Sequence, residues 1–318
     1  MSSKPLRVGL FGLGKMGRNH LRVLSMLKSV ELALAFDVDA NAATHAAAVG
    51  VPFISELPDG NLDIEAAVVC TPTSTHAEFV HALLARGVRK LFIEKPLADT
   101  LERAQGIVAA CEAVGATLQV GFIERFNTAV QELKKITDRS QQVVSLDLTR
   151  TNRVSSRITD VDVITDLMIH DIDLALHING PVVDVSAHGF CEGEMIDLAS
   201  ALLTHKNGRF SRIQASRVTE KKIRMIQATC LDMFVDCDLL RKEILISRQS
   251  ETKQPDGGAY VISSANEVVE VRPQEALLLE LQAFVGACQG QVVPDFPDAA
   301  AGLDAQVICQ KIREAVLR

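Results

Sequence analysis

The sequence LRVGLF at residues 6–11 is followed directly by GLGKMG at residues 12–17, so that three glycines stand in the spacing GxGxxG. A short apolar run that ends in glycine is typical of a buried β-strand, and residues 16–27 have the apolar spacing of a helix. Gly12 permits a tight turn, Gly14 leaves the backbone open to a ligand, and Gly17 lets the helix pack closely on the strand. This stretch therefore predicts the strand–turn–helix unit that begins a doubly wound parallel sheet.

The alternation of apolar strands and helices continues to residue 120, which is typical of a parallel sheet covered on both faces. From Val182 to Val271 polar and apolar residues alternate instead, and Asn207-Gly208 is a typical hairpin turn. We predict an α/β protein with an N-terminal Rossmann domain, whose sheet is doubly wound and parallel, and a C-terminal α+β domain with a large, mostly antiparallel sheet. The predicted domains are residues 1–122 and 123–318, and the last helix is a candidate to pack back on the Rossmann domain. The predicted strands are 6–11, 31–36, 66–70, 90–93, 117–120, 142–149, 200–204, 210–216, 224–229 and 233–236, and the predicted helices are 16–27, 40–49, 75–86, 101–114, 125–136, 165–178, 275–287 and 298–317.

Composition excludes several classes of function. The chain has 318 residues, more than one hydrophobic core usually supports, and a net charge of −7 that argues against nucleic acid as a partner. No apolar run reaches the roughly 20 residues that a membrane span needs. The seven cysteines are scattered without a CxxC pair, and residues 1–5 lack the apolar core of a secretory signal. We therefore expect reduced thiols, no membrane partner and a cytoplasmic location.

The glycine-rich turn predicts a dinucleotide site, because a strand leads into it and a helix N-terminus leads out of it toward the phosphates. The candidate cofactor-binding residues of this loop are Gly12, Gly14, Lys15, Met16 and Gly17. Asp37 ends the second predicted strand, 20 residues after Gly17, where a carboxylate accepts hydrogen bonds from an adenosine ribose. A carboxylate there repels a 2′-phosphate, so the sequence favours NAD over NADP. Asp39 is an alternative ribose ligand, or a cap of the helix that follows it.

Two further motifs carry residue types that can act on a substrate oxygen. Glu94-Lys95-Pro96 follows a buried strand, so Lys95 is predicted at the carboxyl edge of the sheet, where it could stabilise an alkoxide. Asp166, His170, Asp173 and His177 are spaced by 4, 3 and 4 residues along one predicted helix face, and a carboxylate one turn from a histidine suits a general acid or base. A zinc site and a purely structural polar face are the alternatives for this helix; we predict no metal, because no HExxH or third ligand cluster is present.

Together these motifs resemble the Gfo/Idh/MocA oxidoreductases, the family of glucose–fructose oxidoreductase and inositol dehydrogenase. The resemblance covers essentially the whole chain and is carried by GLGKMGRNH at 12–20, CTPTSTH at 70–76, EKP at 94–96 and DLMIHDID at 166–173. It implies that Lys95, Asp166 and His170 are catalytic, with His170 taking the proton of a secondary hydroxyl as hydride leaves for the nicotinamide. It also implies that the nicotinamide side of the cofactor is lined by Thr71, Pro72, Thr73, His76, Glu94 and Lys95.

The substrate class is predicted from a shorter stretch of sequence than the family. GFIERFN at 121–127 and the arginines that follow resemble the UDP-N-acetylglucosamine 3-dehydrogenases, which oxidise the sugar 3-hydroxyl. Three arginines within eight residues could hold a pyrophosphate, or they could form a solvated loop or ion pairs between subunits. The alternatives to a nucleotide-sugar dehydrogenase are a dehydrogenase of a free polyol or sugar and a non-catalytic dinucleotide-binding regulator. The resemblance implies a homodimer or homotetramer. The candidate substrate-binding residues are Lys95, Arg125, Asn127, Arg150, Arg153, Arg157 and His170.

Overall fold

The computed structural model describes residues 4–153, 161–193, 195–252 and 261–318. The chain forms two compact units. The first contains the chain up to Ile123 together with Glu275–Val307, and the second contains Glu124–Gln274 together with Ile308–Arg318. The chain therefore returns to the first unit after it has completed the second sheet.

The first unit has a six-stranded sheet in the order β3-β2-β1-β4-β5-β6, and every neighbouring pair is parallel. This confirms the doubly wound Rossmann sheet. Its strand order reverses between β1 and β4, which is where such sheets bind ligands at their carboxyl ends. The strands are β1 Leu6–Phe11, β2 Val30–Phe36, β3 Phe53–Ile54, β4 Ala66–Val69, β5 Lys90–Glu94 and β6 Thr117–Gly121, and the helices are α1 Lys15–Met26, α2 Ala43–Ala47, α3 His76–Ala85, α4 Leu101–Ala113 and, from the later part of the chain, α7 Ala276–Cys288.

Apolar burial on both faces explains this sheet. All four residues of β4 are fully buried, and β1 is almost as apolar. Helix α7 contributes Leu281 and Phe284 to the core cluster that also holds β1, and the Phe284 ring packs edge-on against Phe92 of β5 at 5.7 Å between centroids. The first unit thus depends on a helix that lies more than 150 residues further along the sequence than β6.

The second unit has an eight-stranded sheet in the order β14-β13-β12-β11-β7-β10-β9-β8. Only the β7–β10 pair is parallel, so the predicted large, mostly antiparallel sheet is confirmed. The predicted turn at Asn207-Gly208 joins β9 to β10, and Gly208 has the positive φ of 81° that such a turn needs. The strands are β7 Val143–Thr151, β8 Val182–Glu192, β9 Met195–His205, β10 Phe210–Ser216, β11 Ile223–Cys230, β12 Phe234–Asp238, β13 Glu243–Thr252 and β14 Val261–Val269.

Two helices of the second unit differ from their predicted form. The predicted helix 125–136 is a 3₁₀ turn, Ile123–Phe126, followed by α5, Thr128–Arg139, because the Asn127 side chain caps the new helix by accepting a hydrogen bond from the Ala129 N–H. The predicted helix 165–178 begins with a π-helical turn, Ile164–Met168, and continues as α6, Ile169–Asn179. Helix α8, Ala299–Val316, closes the chain.

All seven cysteines are free thiols. No helix among the described residues combines the length and the apolar character needed to cross a bilayer.

Candidate active site

The three glycines of the loop after β1 have different surroundings. Gly12 has a φ of +94°, and a Cβ atom there would lie 2.6 Å from the Cys70 carbonyl oxygen. A Cβ at Gly17 would lie 1.9 Å from the Gly12 carbonyl oxygen, so α1 packs against the turn too closely for any side chain. At Gly14, by contrast, a Cβ would have no heavy atom within 4 Å. Packing therefore requires the first and third glycines, while the middle one borders open space.

The open space lies at the start of α1. Gly14 is the N-cap residue of this helix and supplies no capping side chain, and Lys15 and Met16 are exposed beside it. A helix start of this kind offers N–H groups and a positive dipole end to phosphate oxygens. The loop therefore fits the pyrophosphate of a dinucleotide, with room for it at Gly14.

Asp37 lies directly after β2 and faces this loop. Its Oδ2 accepts a hydrogen bond from the Leu13 N–H at 2.6 Å, and its Oδ1 accepts one from the Asp39 N–H at 2.9 Å. These bonds fix the half-buried carboxylate beside the glycine loop. Asp39 itself caps the following 3₁₀ turn by accepting from the Asn41 N–H at 3.0 Å, so the helix-cap interpretation of Asp39 is confirmed.

The segment after β4 reaches the same edge of the sheet. A Cβ at Gly12 would lie 2.8 Å from the Thr71 nitrogen, which places the β4 segment directly beside the glycine loop. Thr71 and Thr73 are half-buried and Pro72 is exposed. The Thr75 hydroxyl donates to the Thr71 hydroxyl oxygen at 2.9 Å, so the turn of this segment is fixed from within.

His76, a predicted cofactor contact, lies in the interior of the first unit. Its side chain is 1% exposed, with Nδ1 at 3.1 Å from the Pro96 carbonyl oxygen and Nε2 at 3.0 Å from the Thr71 carbonyl oxygen. Burial lowers the pKa of this imidazole, and the two carbonyls only partly oppose that effect. His76 thus lies between the segments after β4 and β5, and its predicted contact with the cofactor stays a prediction.

Glu94, Lys95 and Pro96 follow β5 at the same edge. Lys95 is half-buried, and its backbone N–H donates to Oε2 of Glu94 at 3.3 Å. The other Glu94 oxygen lies 2.6 Å from Nε2 of His20, a fully buried residue of α1 whose ring packs edge-on against Phe92. A buried histidine therefore fixes the carboxylate next to the proposed catalytic lysine.

Three potential metal ligands meet at this point. Atoms of His20, Cys70 and Glu94 lie within 4.8 Å of one another. The direct hydrogen bond between His20 and Glu94 occupies the space between these two side chains. Burial, and then the charge of Glu94, raise the pKa of the Cys70 thiol well above its usual value, which disfavours the thiolate that a metal requires. The geometry therefore favours a hydrogen-bonded cluster over a metal centre.

In the second unit, the predicted catalytic residues Asp166 and His170 lie on the π-helical turn and the start of α6, and both are half-buried. Arg217, the residue after β10, donates from Nη2 to Asp166 Oδ2 at 3.3 Å and to the Asp162 carbonyl oxygen at 3.2 Å. Its side chain is only 3% exposed. A buried cation from the sheet therefore holds the turn that carries Asp166.

Two predicted substrate arginines are instead used within the protein. Arg150 is 2% exposed; Nε and Nη2 donate to Asp171 and Nη1 donates to Glu124, each at 2.8 Å. Burial works against this charge, but Asp171 and Glu124 outweigh it and raise the pKa of Arg150. Arg125 likewise donates from Nε and Nη2 to the buried Asp173 at 2.9 and 2.6 Å. Buried carboxylates thus bind these guanidinium groups, and the predicted contacts of Arg150 and Arg125 with the substrate stay a prediction.

Asn127, Arg153 and Arg157 are the remaining substrate candidates of the second unit. Asn127 is buried as the cap of α5 and also donates to Glu124 Oε2 at 3.1 Å, and its predicted contact with the substrate stays a prediction. Arg153 is 72% exposed and pairs with Glu220 at 2.9 Å on the surface. Arg157 lies outside the described residues.

Sequence reasoning missed several residues that position the candidate residues within each unit. His20 stands three residues after Gly17, and this spacing places it on the helix face that packs against the turn, a usable signal. No local spacing indicates the roles of Arg217, Glu124 and Asp171, because their partners come close only when the second sheet and its helices have packed.

Comparison with known proteins extends these observations. Residues 6–122 match the family model described as "Oxidoreductase family, NAD-binding Rossmann fold", and residues 138–230 match the "GFO/IDH/MocA C-terminal domain". The two matched regions together cover more than half of the chain.

Several relatives match almost the full length. UDP-N-acetylglucosamine 3-dehydrogenase of Acidithiobacillus ferrooxidans is 29% identical over 98% of this chain and 97% of its own, and its solved structure superposes with a TM-score of 0.86 at 28% identity, covering 98% and 97% of the two chains. Inositol 2-dehydrogenase of Ralstonia nicotianae is 28% identical over 96% of this chain and 94% of its own. Levoglucosan dehydrogenase in complex with NADH has a TM-score of 0.84 at 19% identity, over 99% and 97% of the two chains, which shows a shared fold.

Proposed function

The chain belongs to the GFO/IDH/MocA oxidoreductase family, and we propose that it oxidises the 3-hydroxyl of a UDP-N-acetylhexosamine with NAD. The similarity to a UDP-N-acetylglucosamine 3-dehydrogenase, in sequence and in fold over 98% of the chain, carries this proposal. Bound NAD supplies the hydride acceptor, while the protein supplies orientation and proton transfer.

The proposed roles follow from the placement of the residues. Lys95, at the carboxyl end of β5, donates a hydrogen bond to the reacting oxygen and stabilises its developing negative charge. His170, at the start of α6, takes the hydroxyl proton as a general base. Asp166, held by Arg217, orients the reacting groups. The predicted contacts of the glycine loop and of Thr71, Pro72, Thr73 and Glu94 with the cofactor remain part of this proposal.

The preference for NAD over NADP rests on Asp37. Its carboxylate is fixed by the N–H groups of Leu13 and Asp39, beside the glycine loop. A fixed negative charge at the end of β2 accepts hydrogen bonds from a ribose diol and repels a 2′-phosphate.

A free polyol is the second candidate substrate, because inositol 2-dehydrogenases match the chain at 26–28% identity over most of its length. One assay distinguishes the two candidate substrates. The protein is incubated with NAD and, in turn, with UDP-N-acetylglucosamine, inositol and glucose, and the absorbance of the reduced cofactor is followed. We expect reduction only with the nucleotide sugar. Reduction with inositol alone contradicts the nucleotide-sugar proposal and leaves the family assignment in place.

We also propose that the protein is a homodimer or homotetramer. The outer face of the second sheet exposes apolar side chains, among them Leu202 on β9 at 41% and Phe210 on β10 at 37%, and a second copy of the chain would cover them. Light scattering behind a sizing column tests this, and a monomer at assay concentration contradicts it.

A further inference from the structure

Arg224 lies beside the buried Arg150 in the second sheet. It lies on β11, directly opposite Arg150 of β7 in the antiparallel register. Side chains that are directly opposed in such a pair point to the same face of the sheet. Arg150 is neutralised by Asp171 and Glu124. Within the described residues, Arg224 makes no ion pair of this kind.

The Arg224 side chain also has an unused donor. Its Nη1 is buried and has no hydrogen-bond partner in the described part of the chain. A buried N–H group without an acceptor loses its hydration and gains nothing in return, so native structures rarely keep one. The side chain as a whole is only half-buried, so an anionic ligand that reaches its accessible part would supply the negative charge that the described residues do not place beside it.

The surrounding charges point to the kind of ligand. Burial, and then the repulsion of Arg150, lower the pKa of Arg224, while Glu124, Asp171 and Asp166 act in the opposite direction. The guanidinium stays protonated, because arginine does not lose its proton in proteins. Arg224 is therefore a partly desolvated positive charge that interacts electrostatically with the proposed catalytic Asp166. Two exposed lysines, Lys221 and Lys222, precede it in the chain and add to the positive potential.

We propose that Arg224 binds the diphosphate of the substrate and thereby selects a nucleotide sugar over an uncharged polyol. This inference rests on the proposed function and names the group that recognises its substrate class. A guanidinium can give two parallel N–H donors to the oxygens of one phosphate, a geometry that neither the occupied Arg150 nor a lysine can offer. The sequence predicts this role for Arg150, Arg153 and Arg157. Buried carboxylates bind Arg150, Arg153 pairs with Glu220 at the surface, and Arg157 lies outside the described residues.

Stability distinguishes this role from a structural one. If Arg224 serves a ligand, its removal breaks no hydrogen bond or ion pair among the described residues. The variant loses the attraction of Glu124, Asp171 and Asp166 but also the repulsion of Arg150. Arg224→Gln should therefore unfold within a few degrees of the unmodified protein.

The test measures UDP binding to the NAD-loaded protein by calorimetry, which does not depend on turnover. We expect Arg224→Gln to weaken UDP binding by about tenfold or more, Arg224→Lys to fall in between, and NAD binding to be unchanged. Arg139→Gln is the matched control, because it removes an exposed arginine at the end of α5 in the same unit and should stay within about twofold of the unmodified protein.

The inference is overturned if the unmodified protein does not bind UDP, if Arg224→Gln binds it equally well, or if Arg224→Gln and Arg224→Lys both unfold at clearly lower temperatures. Oxidation of UDP-N-acetylglucosamine is then measured separately. If turnover occurs but Arg224 does not affect UDP binding, only this inference fails. If Arg224 controls UDP binding but no nucleotide sugar is oxidised, the proposed function fails and the binding site stands.

Discussion

Arg217 donates a hydrogen bond from Nη2 to Oδ2 of Asp166 at 3.3 Å, from a position where its side chain is 3% exposed. The same nitrogen donates to the Asp162 carbonyl oxygen, one turn earlier. Asp166 lies on a π-helical turn, an element frequently found at functional sites. The sheet thus fixes the proposed catalytic carboxylate through a buried cation.

Arg217→Leu should therefore lower kcat by about 100-fold, because a carboxylate that loses its positioning contact no longer holds the reacting groups in line. KM for NAD should not change, since Arg217 belongs to the second unit and the dinucleotide loop to the first. Steady-state kinetics checks both values. Partial recovery of kcat in Arg217→Lys would show that the charge matters, whereas an unchanged kcat in Arg217→Leu would rule out a positioning role.

Replacing Lys95 with Ala, or His170 with Ala, should reduce turnover by about 10²- to 10⁴-fold, because each removes a proposed proton-transfer or charge-stabilising group. NAD should still bind, as measured by calorimetry. Lys135→Ala is the control, since Lys135 is an exposed lysine of α5 paired with Glu132. Turnover near that of the unmodified protein in either the Lys95 or the His170 variant would contradict the proposed mechanism.

Much of the fold was predictable because it depends on local patterns of apolar, polar and turn-forming residues. The apolar runs that became β1, β4 and β5 and the Asn207-Gly208 turn depend on neighbouring residues only. The arginine contacts were not predictable, because Arg150 meets Asp171 and Glu124 only after β7, α6 and the 3₁₀ turn have packed together. The packing of Ala276–Cys288 in the first unit has no local signal either, since the helix is apolar on most of its surface.

Arg150→Leu should destabilise the protein by about 3–5 kcal/mol, because it leaves the buried carboxylate of Asp171 and the largely buried one of Glu124 without a cation. The exposed pair of Arg153 with Glu220 provides the contrast, and Arg153→Leu should cost at most about 1 kcal/mol. Urea unfolding measures both. Equal effects of the two substitutions would contradict the structural role of Arg150.

Asp37→Ala should weaken NAD binding and narrow the preference for NAD over NADP, because the variant loses both a ribose acceptor and the charge that repels a 2′-phosphate. The comparison is made by measuring kcat/KM with each cofactor. Asp39→Ala is the matched control, since that carboxylate caps the next turn and should affect stability more than cofactor choice. An NAD preference that survives Asp37→Ala would assign cofactor selection to another residue.

Gly14→Ala and Gly17→Ala distinguish a glycine that leaves room for the cofactor from one that the packing of α1 requires. An added methyl at Gly14 meets no protein atom within 4 Å, and Gly14 has an ordinary φ of −61°, so the free energy of unfolding should be unchanged or slightly raised. NAD affinity should nevertheless fall by about tenfold or more, because the methyl occupies the space open to the pyrophosphate.

At Gly17 the methyl would lie 1.9 Å from the Gly12 carbonyl oxygen, so the Gly17→Ala variant should lose about 1–3 kcal/mol of stability even without cofactor. Thermal unfolding of the apoprotein and calorimetric titration with NAD give the two readings for each variant. Normal NAD affinity in a stable Gly14→Ala protein would show that the dinucleotide does not approach the backbone at this glycine.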